Sequence, residues 1–183
     1  MMDSAAPDIV YFDLETQRSA GDVGGWGNKD RMGMSIGVTY STKLGEYRIY
    51  GEKDADELVS QLLRADLVVG FNHIDFDYRV LQAYTILDLA SQTRNLDLLL
   101  EIEKTLGRRM KLEDVAMTTL GVGKTAEGLQ AIAWFREGKF LEIAKYCAYD
   151  VKVTMRVHEF GRRCGYVKYR DNIGQEQHLP VNW

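Results

Sequence analysis

Two carboxylates, two residues apart, close an apolar run near the start of the chain: Ile9-Val10-Tyr11-Phe12 leads into Asp13-Leu14-Glu15-Thr16. The β-branched and aromatic residues of the run predict a buried strand. Side chains alternate across a strand, so Asp13 and Glu15 share a face. Neighbouring carboxylates at a buried strand end repel each other and lose hydration. A cation between them relieves both costs, and Mg²⁺ or Mn²⁺ suits oxygen ligands. The alternative is a strand that runs out into a loop and leaves two solvated acids. Two further acids stand at predicted element ends. Asp77 follows Asn72-His73-Ile74-Asp75-Phe76 at the start of a helix predicted over 78–84, where helix capping is its ordinary role. Asp150 lies on the apolar side of a long predicted helix, one turn after Tyr146. Buried acids are rarely left unpaired, and a cation or a distant Arg or Lys would answer this one. His73 reads as a loop histidine, and His158 and His178 fall in unrelated contexts.

The elements that must position these acids follow from periodicity and punctuation. Residues 34–40 and 46–50 are strand candidates joined by a short polar segment, which predicts an antiparallel hairpin. Apolar residues at 55, 58, 59, 62 and 63 predict a helix over 54–64. Asp54 is its expected cap, with Glu57 completing a pair of capping-box type. Residues 66–71 form a short buried strand, after which helix and strand alternate, as in a mixed α/β sheet. Residues 95–100 read as a further strand or a helix start, with helix to Leu106 and a stop at Gly107. Helices are predicted over 112–120, 129–136 and 140–163, then a strand or turn over 165–170 and a polar tail, 171–183, with an apolar anchor.

Three segments invite a binding role. The glycine-rich loop from Gly21 to Gly27 leaves the carboxylate strand directly, so it should lie at the mouth of any site there. Its Trp26 either anchors the loop by packing or stacks on a base. Arg108, Arg109 and Lys111 form the densest local basic cluster, either a solvated loop or a phosphate contact. Gly121-Val122-Gly123-Lys124-Thr125 imitates the end of a phosphate-binding loop, but Thr118 stands where its first glycine belongs, and the segment follows a helix instead of a strand. Nucleotide binding there is rejected.

The composition narrows the classes. A length of 183 residues suits one domain spanning 1–183 with a sizeable core. The net charge of −4 offers no global attraction for polyanions, so any such binding must be local or through metal. Two cysteines, Cys147 and Cys164, argue against a disulfide framework and for a reducing cytoplasm. The start, MMDSAAPDIV, lacks the pattern of a signal peptide, and no apolar run has the ~20 residues of a membrane span.

Taken in order, three of these segments resemble a known motif set. Phe12-Asp13-Leu14-Glu15-Thr16, then Gly70-Phe71-Asn72-His73-Ile74-Asp75-Phe76-Asp77 with Leu81, then Tyr146-Cys147-Ala148-Tyr149-Asp150 are similar to the motifs of the DEDD 3′–5′ exonucleases, tyrosine subclass, of the ribonuclease H-like fold. Relatives of that family include the proofreading domains of family B DNA polymerases. The resemblance implies a central mixed five-stranded sheet with an antiparallel second strand, flanked by helices. It implies two ions, Mg²⁺ or Mn²⁺: Asp13 would bridge them, Glu15 and Asp150 would complete the first, and Asp77 would support the second, partly through water. Tyr146 would orient the attacking water. Family spacing favours Asp77 over Asp75. The implied substrates are single-stranded DNA or RNA 3′ ends, for which Trp26, Asn72, Arg108, Arg109 and Lys111 are candidate contacts. A monomer is expected, acting alone or beside a helicase or polymerase. Two rivals remain: a binding or scaffold domain that keeps the fold without turnover, whose signature would be a lost acid, and a structure-selective endonuclease.

Overall fold

Five strands, β1 (Ile9–Thr16), β2 (Met34–Ser41), β3 (Glu46–Gly51), β4 (Leu67–Gly70) and β5 (Asn95–Asp97), form one sheet in the order β3-β2-β1-β4-β5. This computed structural model describes residues 6–123 and 128–183; part of the amino-terminal stretch and the Lys124-Thr125 end of the phosphate-loop-like segment lie outside the described residues. β2 runs antiparallel to both β1 and β3, whereas β1, β4 and β5 are parallel. The architecture is therefore the mixed five-stranded sheet with a reversed second strand that the sequence led us to expect. β1 is central, and its carboxyl end lies beside that of β4, where parallel sheets open a crevice.

Helices cover both faces. α1 (Ala55–Arg64) and α2 (Asp77–Leu81) pack Leu58, Leu62, Val80 and Leu81 against Val10, Phe12, Leu14 and Val68. Gly37 of β2 admits Leu58: a Cβ there would sit 2.8 Å from its Cδ2. The short α3 (Leu89–Gln92) precedes β5, and α4 (Leu98–Leu106), α5 (Leu112–Leu120) and α6 (Gly128–Arg136) follow it. The other face is closed by α7 (Phe140–Cys164), whose Ile143, Cys147, Val151, Thr154, His158 and Gly161 are buried at steps of three and four. That stripe packs against β1 and β2, where Tyr11 and Val38 belong to the same cluster. Each such aliphatic side chain contributes roughly 1.5–3 kcal/mol through burial. No helix among the described residues is long and apolar enough to cross a membrane.

Some local expectations need correction. Asp54 does not cap α1 through its side chain; its Oδ2 accepts the Gly51 N–H at 3.0 Å and closes a 3-10 turn over Glu52–Asp54. The helix predicted over 78–84 ends at Leu81. The segment around Gly21–Gly27 contains two 3-10 turns, Gly21–Val23 and Trp26–Arg31, with Gly24 and Gly25 at positive φ between them. The polar tail contains a strand, β7 (Glu176–Pro180), which pairs antiparallel with β6 (Tyr166–Arg170) as a second sheet. Leu179 alone is buried in β7, too sparse a pattern to read as a strand. Asp171 makes the connecting turn by accepting the N–H groups of Ile173 and Gln175. Trp183 then donates Nε1–H to the His158 carbonyl at 3.1 Å and lies over Gly161, where a Cβ would meet the indole.

His73, in the loop after β4, and His158 of α7 are both buried. Burial pushes His158 down to about 4, so it is neutral, and its Nδ1 shares a hydrogen bond of 2.8 Å with the Tyr11 hydroxyl. A histidine whose folded value is depressed contributes stability that is present above its unfolded value, ~6.5, and lost as pH falls toward the folded value. We therefore expect unfolding free energy to drop as pH falls from about 6.5 to about 4 by up to ~3 kcal/mol from this group. His158→Gln should be less stable at neutral pH and show a shallower acid slope; urea titrations across that range measure both.

Candidate active site

The two faces of β1 divide the acids from the core. Val10, Phe12 and Leu14 point into the cluster under α1, while Asp13 and Glu15 continue the row of Tyr11 toward α7. The buried stripe of α7 fixes its rotation, which places Tyr146 and Asp150 one turn apart above the end of β1. The result is a triad: one carboxylate oxygen each from Asp13, Glu15 and Asp150 lies within 4.8 Å of the others. The donors are all hard oxygens, as Mg²⁺ or Mn²⁺ prefers, so the residues present fit a divalent ion.

Asp77 arrives from the opposite layer. It opens α2 without capping it through its side chain; its Oδ1 accepts the Leu14 N–H at 2.9 Å instead. That bond ties the start of α2 to the carboxyl end of β1 and leaves Asp77 buried beside the triad. Asp75 is elsewhere. It is exposed, pairs with Lys29 at 3.1 Å, and does not line the cleft that contains Asp13, Glu15 and Asp77.

Electrostatic cost is concentrated here. Burial, then repulsion from Asp77, Glu15 and Asp150, raises Asp13 well above the usual carboxylate range. Burial and the charges of Asp150 and Asp77 do the same to Glu15. Burial pushes Asp77 up to about 8, against the opposing effect of its backbone hydrogen bonds. Tyr146 is raised by burial and by the surrounding acids, so its hydroxyl stays protonated and donates a hydrogen bond to Asp150. Its ring meets Trp134 edge-on at 6.3 Å.

The roles of two residues at the site escaped the sequence reading. Cys147 is fully buried, and its Sγ–H lies 3.3 Å from both the carbonyl and Oδ2 of Asp13. Burial and the neighbouring acids raise the thiol, which keeps it a donor to that carboxylate. The signal was its place directly after Tyr146 on the helix stripe. Arg18 brings a cation to the cleft wall, with Nε 3.4 Å from the Met32 carbonyl. Its position in the loop leaving Glu15 was the available clue.

The cleft measures ≈ 730 Å³ and is walled by Met32, Phe71, Trp26, Phe76 and Ile132 as well as by Asp13, Glu15 and Asp77. Trp26 is 68% exposed and touches Phe76 only edge-on, so it does not anchor its loop as a buried residue would. Asn72 and Lys111 also line the cleft. Arg109 reaches its rim, donating from Nη2 to Asn72 Oδ1 at 2.5 Å and pairing with Glu103 at 3.1 Å. Arg108 turns away, donating to the Arg170 carbonyl at 3.2 Å with its guanidinium 5.9 Å above the Tyr169 ring.

A sequence model of the family described as the RNase_H superfamily matches residues 10–160. Among solved structures, the family B DNA polymerase from the hyperthermophilic archaeon Pyrobaculum calidifontis is similar, with a TM-score of 0.64 at 13% identity. The match covers 85% of this chain and 24% of the polymerase chain, so it concerns the fold and about a quarter of that protein's length. No curated protein matches the sequence significantly.

Two outcomes follow for the metal-free and metal-loaded protein. A carboxyl raised in the folded state contributes stability that is full below its unfolded value, ~3.9, and lost as pH rises through the folded value. For Asp77 that window runs to about 8, so metal-free stability should decline across it, and less in Asp77→Asn. Mn²⁺ should reverse the decline, because it replaces protons and binds only the folded triad. At a hundredfold excess over Kd the gain is ~2.7 kcal/mol. Thermal melts with and without Mn²⁺ should show this rise in the wild type and little of it in Asp13→Ala; equal rises would remove Asp13 from the ligand set.

Proposed function

The chain belongs to the RNase H superfamily, and from that premise we propose that it is a metal-dependent 3′–5′ exonuclease of the DEDD tyrosine subclass. The observation that carries the proposal is the Asp13–Glu15–Asp150 triad at the carboxyl end of β1, with Tyr146 bonded to Asp150 and Asp77 beside it. A nuclease-type reading needs no nucleophilic side chain: water attacks and a phosphodiester oxygen leaves. Asp13, Glu15 and Asp150 would hold one Mg²⁺ or Mn²⁺, and Asp77 would support a second next to Asp13. Bound there, such ions stabilise charge developing on the attacking and leaving oxygens.

The remaining work belongs to this chain's own groups. The Tyr146 hydroxyl donates to Asp150, which fixes the carboxylate and holds a polar group where a water can be aimed. Cys147 donates to Asp13 and restrains its rotamer. Phe76 and the exposed face of Trp26 offer flat apolar surface for a terminal base, and stacking on such surfaces tolerates any base. Arg18, Lys111 and Arg109 supply short-range positive charge at the rim for phosphates, alongside Asn72; Arg108, bound to β6, would act further out. A chain of net charge −4 gains little from neutralising a long duplex, which favours gripping a strand end. All four acids of the motif set are present, which disfavours the rival reading as an idle binding domain.

The test uses end-labelled oligonucleotides of DNA and RNA with Mg²⁺ or Mn²⁺. A 5′-labelled single strand should yield a descending ladder, and a 3′-labelled one should release its label first as mononucleotide. A covalently closed single-stranded circle should survive conditions that erase the linear form; cleavage of the circle at a similar rate would make the enzyme an endonuclease. Tyr146→Phe should lower turnover by 10- to 100-fold, the usual cost of losing a group that orients a metal ligand, while the Mn²⁺-induced rise in Tm persists. Wild-type turnover in that variant would reduce Tyr146 to packing.

A further inference from the structure

We propose that Asp97, which no catalytic motif includes, is the positioning residue that shapes the 71–77 loop and through it sets Asn72 and Asp77 in the cleft; the proposal rests on the nuclease reading of that site. Asp97 ends β5 and is 4% exposed. Its Oδ1 accepts the N–H groups of Leu99 at 3.1 Å and Leu100 at 3.4 Å, which caps α4. The same oxygen accepts Asn72 N–H at 2.7 Å, and Oδ2 accepts Ile74 N–H at 3.1 Å. A helix cap explains the first two bonds. It does not explain the other two, which cross from β5 to the exit of β4.

Those two bonds sit where the backbone needs support. Asn72 has φ +69°, the left-handed region, and is the one described non-glycine residue there. An L-residue in that conformation costs roughly 1–2 kcal/mol, although Asn tolerates it better than most. From Asn72 the turn propagates: Phe76 N–H donates to the Asn72 carbonyl at 3.0 Å and Tyr78 N–H to the His73 carbonyl at 2.8 Å. That sequence of bonds delivers Asp77 to the Leu14 N–H. The loop is also braced from below. The His73 ring fills the space above Gly70, where a Cβ would lie 2.7 Å from Nδ1, and its Nε2 meets Asn95 Oδ1 at 3.0 Å. Tyr78, beside Asp77, donates to the same Asn95 oxygen at 2.7 Å.

The chemistry requires a carboxylate. Four N–H donors converge on one side chain, and an ionised Asp has two oxygens and only acceptor sites. An amide would turn its NH₂ toward N–H donors. Charge-assisted bonds of this kind are also about twice as strong as neutral ones.

Asp97→Ser separates the two duties of this residue. Serine remains a good helix cap but is too short, and has too few acceptors, to hold the Asn72 and Ile74 amides as well. Measured well below its Tm, Asp97→Ser should lose 10- to 100-fold in kcat per folded molecule on a 3′-end oligonucleotide. The Mn²⁺-induced rise in Tm should persist, because Asp13, Glu15 and Asp150 are untouched. Wild-type kcat in the folded variant would overturn the proposal. A measurement on the wild type covers a variant that fails to fold: the Asn72 and Ile74 amides should exchange with solvent far more slowly than the exposed Asp75 amide. Exchange as fast as Asp75 would equally overturn it. If wild-type protein degrades no oligonucleotide, the nuclease reading fails on its own, and the exchange measurement still decides the role of Asp97.

Discussion

Burial of four carboxylates at the end of one strand, with charge repulsion added to the loss of water, is the constraint on which the rest of this structure depends. Left alone, Asp13, Glu15 and Asp77 would each be driven toward water or protonation. The fold prevents the first outcome by drawing them from three elements, none of which can move independently. β1 is hydrogen-bonded on both edges, α7 is packed along its length, and α2 is tied to β1 through Asp77 itself. The unfavourable electrostatics are thereby stored in a rigid frame, where binding a cation would release them.

The same constraint explains the layering. Asp13 and Glu15 lie on the α7 side of the sheet with Tyr146 and Asp150, whereas Asp77 belongs to a helix on the α1 side. An acid from the far layer can reach the site only around the end of β1, and the Leu14 N–H is the backbone donor it meets there. Each layer therefore supplies a different part of the cluster, and neither core alone builds it. The apolar cleft wall has a related origin: Met32 and Phe76 extend the core under α1 out to the site.

How legible this was depended on the range of the interaction. The sheet and its reversed strand could be read because the runs of β1, β2 and β4 are nearly continuous apolar segments with clear turns between. The facing of Asp13 and Glu15 followed from the period of a strand, and the pairing of Tyr146 with Asp150 from the period of a helix. Asp54 was misplaced because two adjacent turns compete for one carboxylate, and only the backbone decides which receives it. β7 was missed because its stability comes from the partner strand and from the turn built by Asp171, not from its own pattern. His73 is the loop residue its sequence context suggested, but nothing local announces that Gly70 leaves room to bury its ring. The contacts of Cys147 and Asp97 span 134 and 25 residues of sequence, beyond any local pattern.

The register of α7 shows why core and site cannot be separated. Ile143, Cys147, Val151 and Thr154 fix which side of the helix faces β1 and β2. Cys147 belongs at once to that stripe and to the site, since its thiol touches Asp13. Tyr146 and Asp150 each precede a stripe position, so they emerge at the same edge of the buried face, one turn apart. Rotating the helix by one residue, about 100° in either sense, would carry Tyr146 and Asp150 off that edge together and displace the apolar stripe from the sheet. Burial of several aliphatic groups thus opposes any displacement of the two polar ones, with a cost of roughly 1.5–3 kcal/mol for each side chain uncovered. The apolar residues thus determine where the polar ones are held.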